Sequence, residues 1–265
     1  MSEALRLTIV TPSFNQGQFL PRTARSVLSQ QGGFSLRWIV IDGGSTDGSV
    51  DFLRSVDDPR LFWISEKDRG QCHAINKGMG LAEGADVLAW LNSDDVYEEG
   101  ALATVAEAFA ADPTAAWLVG RCRIIDEMDR EIRPAVTRYK DRILRRYTYR
   151  RLLRQNLISQ PAAFWRASLW RDNGGRVDET LHWCMDYDLW LRFGRACDPL
   201  ILSSVLSSFR MHKSSKSGQV TRRQFDEQYA VARRYLGRDR LSALIHRLHV
   251  EKIVWAYRGM RLLGM

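Results

Sequence analysis

The apolar run Val87-Leu88-Ala89-Trp90-Leu91 ends abruptly in Asn92-Ser93-Asp94-Asp95. Two adjacent carboxylates therefore follow a segment that reads as a fully buried strand. Neighbouring carboxylates repel each other unless a cation or another positive group compensates them. Hard divalent ions such as Mg²⁺ or Mn²⁺ take oxygen ligands of this kind, usually together with substrate phosphates. In open α/β sheets, ligands bind outside the carboxyl ends of the strands. The position suits a metal–diphosphate site, with a solvated Asp-Asp turn as the plain alternative. Two further apolar runs end the same way: Asp42 closes Trp38-Ile39-Val40-Ile41, and Glu66 and Asp68 follow Leu61–Ser65. Three acidic tips on one edge are harder to explain by chance than any one of them. A carboxylate such as Asp42 can accept the N–H of a base like uracil, and the glycines after it let the backbone approach a ligand closely. No GxGxxG follows the first strand and no GxxxxGK[ST] occurs, so dinucleotide and P-loop sites lose support.

These tips need a sheet to carry them. Leu5–Thr11 reads as a first strand, followed by the loop Pro12–Gly17. A helix from about Phe19 to Gln31 has Pro21 in its first turn and Leu20, Ala24, Val27 and Leu28 at helical spacing. Leu36–Ile41 is the second strand, Leu61–Ser65 the third and Val87–Leu91 the fourth. Helices are expected after the second strand (to about Val56) and over Gln71–Leu81. This is the βαβα rhythm of a parallel sheet with helices on both faces. Beyond it, helix is expected over Glu99–Ala111, 138–157 and Met185–Phe193, and strand over Ala116–Val119, Ser159–Trp165 and Leu200–Phe209. Lys213–Gln219 reads as a polar loop, with Lys213–Ser217 either a lid over the site or a plain connection. From Thr221 onward the chain reads as helix, with Leu241, Leu244, Ile245, Leu248, Ile253, Val254 and Tyr257 on one face.

At 265 residues the chain can bury a substantial core. Four widely spaced cysteines without a CxxC pair read as reduced thiols rather than a zinc site. No run of 18 apolar residues occurs, and the start of the chain lacks a signal-peptide pattern, which points to a cytoplasmic location. The net charge of +8 is unevenly placed. Residues 138–171 carry nine Arg and one Lys against a single acid, and 222–265 carry ten basic residues against four acids. The first hundred residues carry nine basic residues against fourteen acids. Basic segments of this kind serve nucleic acid, anionic lipid or phosphorylated partners, or are simply solvated helix faces.

The segments TPSFNQGQFLPRTARSVLSQ, WIVIDGGSTDGS, SEKDRGQCHAINKGMGLAEGADVLAWLNSDD, ISQPAAFWRAS and MDYDLWLRFG resemble, in order and spacing, the family 2 glycosyltransferases with the GT-A fold. They cover most of residues 7–212. The resemblance implies an α/β fold with a Rossmann-like, mostly parallel central sheet flanked by helices. It also implies a catalytic domain over 1–220, divided into a nucleotide-sugar half (1–97) and an acceptor half (98–220). A basic amphipathic helical extension follows over 221–265. Thr11, Pro12, Phe14 and Asn15 match the loop against the nucleotide base. Asp42 and Gly43 match the base-reading turn, and Asp68, with Gly70 and Gln71, a base- or ribose-side group. Asn92-Ser93-Asp94-Asp95 matches the DxD-like motif, with Asn92 in place of its first Asp. Asp95 would there bind Mn²⁺ or Mg²⁺, and Asp94 the ribose or the metal's water shell. Asp186 matches the catalytic base, with Met185 where the family has Glu and Asp188 as the rival. His212 matches a late metal- or diphosphate-contacting His. Gln160, His182 and Trp183 are acceptor or sugar contacts, Trp183 as a stacking platform; Trp63, Trp90, Trp117 and Trp190 read as core.

The implied reaction is a single displacement with inversion, from a nucleotide-sugar, UDP favoured over dTDP or GDP, to a saccharide or polyprenyl-linked acceptor. The residue types agree: a diphosphate leaving group needs cationic stabilisation, and a hydroxyl of high pKa needs a carboxylate to take its proton. The extension could lie on an anionic membrane surface at the inner face of the plasma membrane, with Trp255, Tyr257 and Leu262–Leu263 among basic residues. It could equally pack on the catalytic domain or form a dimer. A nucleic-acid-binding protein using the Arg-rich segment leaves the acidic tips unexplained, so no nucleic acid is expected. A nucleotidyltransferase would want a Gly-rich basic loop after the first strand. A processive synthase would want membrane helices and QxxRW, which Gln160–Trp165 does not match.

Overall fold

In a computed structural model, residues 4–212 and 222–262 are described, without the side chains of residues 253, 254 and 256–262. The expected loop and lid at Lys213–Gln219, the side chains of Ile253, Val254 and Tyr257, and Leu262–Leu263 lie outside that description. Four strands, β1 (Leu5–Ser13), β2 (Phe34–Asp42), β3 (Leu61–Ser65) and β4 (Val87–Trp90), pair in parallel in the order β3-β2-β1-β4. Their crossovers contain α1 (Leu20–Leu28), α2 (Ser49–Ser55) and α3 (Gln71–Gly80). The sheet then continues from β4 through β7 (Ala163–Arg166), β6 (Trp117–Ile125) and β8 (Leu200–Arg210) to β5 (Val96–Tyr97). Here the pairing is mixed: β7 is antiparallel to both neighbours, β6 and β8 are parallel, and β5 is antiparallel to β8.

β1 pairs with β2 on one side and with β4 on the other, while the chain moves outward to β3 before returning. This reversal opens a crevice beyond the carboxyl ends of β1 and β4. The strands lining it are apolar because both faces are covered. Leu7, Ile9 and Val10 of β1, all of β4, and Trp38–Ile41 of β2 are buried. Gly78 lets α3 press directly on β1, since a Cβ there would collide with Val10.

The second half is reached through α4 (Ala101–Ala111), α5 (Pro134–Leu144), α6 (Tyr149–Arg154), α7 (Ala167–Asp172) and α8 (Met185–Ala196). The helix expected over 138–157 is two helices. The Thr148 side chain accepts the Arg151 N–H at 3.2 Å and caps α6, so the chain turns between Leu144 and Tyr149. The strand expected from Ser159 begins only at Ala163, because Gln160–Ala162 forms a single 3₁₀ turn around Pro161, which has no N–H for a ladder. β6 runs six residues beyond the expected Val119, to Ile125.

Trp90 (β4), Trp165 (β7), Trp117 (β6) and Trp190 (α8) form one aromatic cluster, with ring centroids 5.6–5.9 Å apart. Aromatic pairs at such distances add stabilisation of roughly 1 kcal/mol each beyond area burial. The cluster ties the middle of α8 to the end of β4, so the helix and the strand rest on one rigid support. α9 (Arg222–Leu236) and α10 (Arg240–Leu262) pack on this half and contribute Val231, Ala232, Leu236 and Ala243 to the same core.

Candidate active site

The crevice floor is set by two loops zipped together. Asn15, at φ 51°, donates its N–H to Ser45 Oγ (2.8 Å), and its Oδ1 accepts the Thr46 N–H (3.0 Å). Gly17 donates to Asp47 Oδ2 at 2.7 Å, and hydrogen bonds from the Ser49 hydroxyl and these backbone groups hold Asp47 below the usual carboxylate range against the opposing effect of burial. Asp42 is fully buried, and its carboxylate accepts from the N–H groups of Gly44 and Ser45 and from the hydroxyls of Ser45 and Ser65, at 2.5–3.0 Å. It therefore shapes the Gly43–Ser45 turn. The open face beside it belongs to Phe14, 58% exposed, and to half-buried Asp68. Both crowd Gly43 so closely that a Cβ there would meet Asp68 Oδ2 at 2.9 Å and Phe14 Cδ2 at 3.2 Å. Asp68 also accepts the Gly70 N–H at 2.7 Å, just ahead of α3. Thr11 and Pro12 are buried, the Thr11 hydroxyl accepting the Trp38 indole N–H at 2.8 Å.

Beyond β4, Asn92 is a hub. Its Oδ1 accepts from Gln71 Nε2 (2.8 Å), and its Nδ2 donates to Asp95 Oδ2 (3.1 Å) and Gln160 Oε1 (3.2 Å). Gln160 in turn donates to the Trp90 carbonyl at 2.7 Å. The two carboxylates of the turn occupy different environments. Asp95 is fully buried, its Oδ1 accepting the Arg210 N–H at 2.9 Å; burial and, after it, the Asp94 charge push its carboxyl well above the usual range. Asp94 lies at the cleft surface with Oδ2 3.0 Å from His212 Nε2. The turn is held from below by Thr23 of α1, whose hydroxyl lies 2.9 Å from the Ser93 carbonyl and 2.8 Å from that of Asp95. Arg210, fully buried, donates Nε to the Asp94 carbonyl (2.7 Å) and Nη1 to that of Asp126 (2.8 Å), with its guanidinium 5.1 Å above the Phe19 ring. Phe19 also packs against the His212 ring, at 4.6 Å between centroids.

Among the described residues no group of three His, Cys, Asp or Glu side chains forms a ready metal cage. The donor set nevertheless fits a hard divalent ion. Asp94 offers an oxygen and His212 a ring nitrogen at a spacing compatible with two ligands of one ion, and Asp95 lies directly behind.

The start of α8 carries the remaining acids. Asp186 is half-buried; burial raises its carboxyl to about 6, opposed in part by the Tyr187 N–H, Lys140 of α5 and the Asn156 side chain. Asp188, two residues on, points to the other side. Its oxygens are taken by Arg192 Nε (3.1 Å) and the Tyr235 hydroxyl (2.7 Å). His182 is exposed and Trp183 half-buried, their rings 5.7 Å apart at 71°.

The model of the family described as "Glycosyl transferase family 2" matches residues 8–172, well over half of the chain. The chain belongs to that family. A glycosyltransferase of Mycobacterium tuberculosis strain H37Rv, whose own function is uncharacterised, is 30% identical over 213 residues, 79% of this chain and 76% of that protein. A PGL/p-HBAD biosynthesis glycosyltransferase of Mycobacterium bovis strain BCG is 35% identical over 104 residues, 37% of this chain and 40% of that one. Among solved structures, S. aureus TarS 1-349 in complex with UDP-GlcNAc superposes with a TM-score of 0.66 at 14% identity, over 86% of this chain and 65% of that one. The Pyrobaculum calidifontis mannosyltransferase PcManGT, in complex with GDP-Man and Mn²⁺, superposes with a TM-score of 0.67 at 18% identity, over 87% and 65%. The transferase thus spans less than two thirds of either structure's chain, and it shares their GT-A fold.

The structure brings Asn92, Asp94, Asp95, His212, Gln71 and Gln160 into one network, and Phe14, Gly43 and Asp68 into another. Four residues of the transferase escaped the sequence reading. Thr23, Arg210 and Lys140 are single polar groups whose partners lie far away in the chain, and Glu227 of α9 is bound by the N–H groups of His182, Trp183 and Cys184 and by the Cys184 thiol. A buried-side threonine on the apolar face of α1 was the one readable sign, for Thr23.

Proposed function

We propose that this protein transfers one sugar, with inversion, from a nucleoside-diphosphate sugar to an acceptor hydroxyl. UDP, the nucleotide of the TarS complexes, is the donor nucleotide we favour. The observation that carries this reading is the meeting of the Asp94–His212 pair with the Phe14–Gly43–Asp68 face at one crevice, at the point where strand order reverses. The base would lie against Phe14 and Asp68, with Asp42 fixing the turn beneath and Asn15 and Gly70 bordering it. Asp94 and His212, backed by Asp95, would hold Mg²⁺ or Mn²⁺, which when bound stabilises charge developing on the departing diphosphate. Asp186 would accept the proton of the attacking hydroxyl; its half-buried carboxylate, raised toward neutral pH by burial, supports that role, while the fully engaged Asp188 does not suit it. Trp183, His182 and Gln160 would contact the sugars. The reaction is tested by incubating the protein with UDP-, GDP- and dTDP-sugars and Mn²⁺ and following nucleotide release. Proton NMR of the product reads the anomeric configuration; retention would contradict the mechanism.

The acceptor, a saccharide or polyprenyl-linked saccharide, would be met at a membrane surface. No helix among the described residues is long and apolar enough to cross a membrane. The apolar stripe of α10, however, faces outward. Leu241, Leu244, Leu248 and Trp255 are 55–69% exposed, while Ser242, Ala243, His246 and Val250 form the packed side. Exposed Arg240, Arg247 and Lys252 flank the stripe. A second copy pairing on this face would bring like charges together, whereas an anionic leaflet at the cytoplasmic side complements both stripe and flanks. Sedimentation with phosphatidylglycerol vesicles, lost in Leu244→Ser/Leu248→Ser, is expected. Equal recovery of both proteins in the supernatant would remove the membrane reading.

A further inference from the structure

We infer that Glu227 is a positioning residue for the acceptor side of this site, clamping from α9 the loop that carries His182 and Trp183 into the base-bearing helix. The inference rests on the reading of Asp186 as base. The carboxylate of Glu227 accepts three consecutive backbone N–H groups: His182 at 3.0 Å on Oε2, and Trp183 at 2.8 Å and Cys184 at 2.7 Å on Oε1. Charge-assisted bonds of this type are about twice as strong as neutral ones. No Lys or Arg among the described residues forms an ion pair with Glu227; three backbone N–H groups and the Cys184 thiol compensate its charge there.

The location gives the clamp its consequence. Cys184 is the residue from which α8 starts, and Asp186 sits in the first turn. The loop is pinned again by Cys72 Sγ, 3.3 Å from the Leu181 carbonyl, and by Cys184 Sγ, 3.6 Å from that of Gln224. Trp183 is thus fixed at its own N–H and at both neighbours, which sets the direction in which its half-buried ring is presented. Asp186 itself faces Lys140 of α5, Asn156 and, two residues back, Cys184, whose thiol feels both Asp186 and Glu227. Ordinary helix-to-helix adhesion does not need this contact. Tyr235 to Asp188 (2.7 Å) and Arg234 to Asp178 (2.8 Å) already fasten α9 through side chains. Glu227 instead holds three successive main-chain N–H groups together with the Cys184 thiol, and these lie in the segment between the sugar-facing residues and the base.

The test compares the full-length protein with Glu227→Ala, Glu227→Gln and, as a control for adhesion alone, Tyr235→Phe. Amide hydrogen exchange at residues 182–184 should be faster by about tenfold or more in Glu227→Ala. It should be intermediate in Glu227→Gln, which keeps one accepting oxygen, and unchanged in Tyr235→Phe. The Asp186 carboxyl, followed by ¹³C NMR, should titrate near 6 in the parent and move toward the ordinary carboxylate range in Glu227→Ala as water reaches the helix start. Calorimetry with UDP and Mn²⁺ should be the same in all four proteins. Parent-like protection at 182–184 with an unmoved Asp186 titration would overturn the inference, as would faster exchange spread evenly over the chain. A parent Asp186 that already titrates as an ordinary carboxylate would instead remove the base assignment and leave the clamp to the exchange data. Absence of UDP binding in the parent would remove the donor reading alone.

Discussion

His212 Nε2 lies 3.0 Å from Asp94 Oδ2, and Arg210, two residues earlier, donates its backbone N–H to Asp95. The exit of the last strand is thereby locked onto the turn beyond the fourth, across 118 residues of chain. Asp95 acts from the inside, as a buried anchor with both oxygens engaged. Asp94 and His212 form the surface of the same unit. The division explains how two adjacent carboxylates coexist: one is buried, its carboxyl pushed up by burial while the Arg210 N–H and Asn92 amide oppose that effect, and the other is placed where a cation can reach it.

Asn92 is required as an amide. Its Nδ2 donates to Asp95 Oδ2 at 3.1 Å, so Asn92→Asp would replace a donor by a second buried-side carboxylate. A destabilisation of about 2–4 kcal/mol at pH 8 is expected from the lost hydrogen bonds and the new repulsion. Chemical denaturation should show the deficit shrinking at lower pH, where one of the pair takes up a proton. Equal stability of variant and parent at both pH values would show that Asn92 does no such work.

Gly43 sits where any side chain would press on Asp68 and Phe14. Its backbone is not among those at positive φ, so Gly43→Ala need not strain the turn. Folding stability should change by no more than about 1 kcal/mol, because the Asp68 side chain can swing aside. UDP affinity should fall roughly tenfold, the loss of about 1.4 kcal/mol expected when a base-contacting surface is displaced. Unaltered affinity by calorimetry would place the base elsewhere.

Asp186 gives the pH dependence. With its carboxyl raised by burial to about 6, the ionised form that can accept a proton is lost as pH falls through that value. The acid limb of kcat/KM should therefore have its midpoint near 6, and Asp186→Asn should remove nearly all turnover while binding UDP normally. The same shift has the opposite sign for stability. The folded state holds this proton more tightly than the unfolded chain, so its favourable contribution is complete below about 3.8 and lost as pH rises through about 6. A limb centred near 4 would point to another base.

The acidic tips could be read from the sequence because each closes an apolar run, and strand ends in a parallel sheet share an edge. The choice between Asp186 and Asp188 could not, since both lie in one helical turn. Two residues apart on a helix means opposite faces, and only the packing of Arg192 and Tyr235 shows which face is interior. The stripe Leu241–Leu244–Leu248 was visible as a periodicity, but its direction was not. The packed side of α10 uses the small or polar residues Ser242, Ala243 and His246, the last of which donates its Nδ1–H to the Leu153 carbonyl at 2.8 Å. Glu227 was hidden for a different reason. It looks like any surface acid of an amphipathic helix, and the three backbone groups it holds lie 43–45 residues away and carry no mark in the sequence. Thr148 broke the expected long basic helix by capping α6, a local choice outweighed in the sequence by the helical run on either side.

The central claim is that the Asp94–His212 pair, backed by Asp95, and the Phe14–Gly43–Asp68 face form one metal-assisted nucleotide site. Titration calorimetry of UDP into the full-length protein, with and without Mn²⁺, tests it most directly. Tight binding that requires Mn²⁺ and disappears in Asp94→Ala, with the variant still folded, is the predicted result. Binding of UDP to the same extent without metal, or in Asp94→Ala, would contradict it.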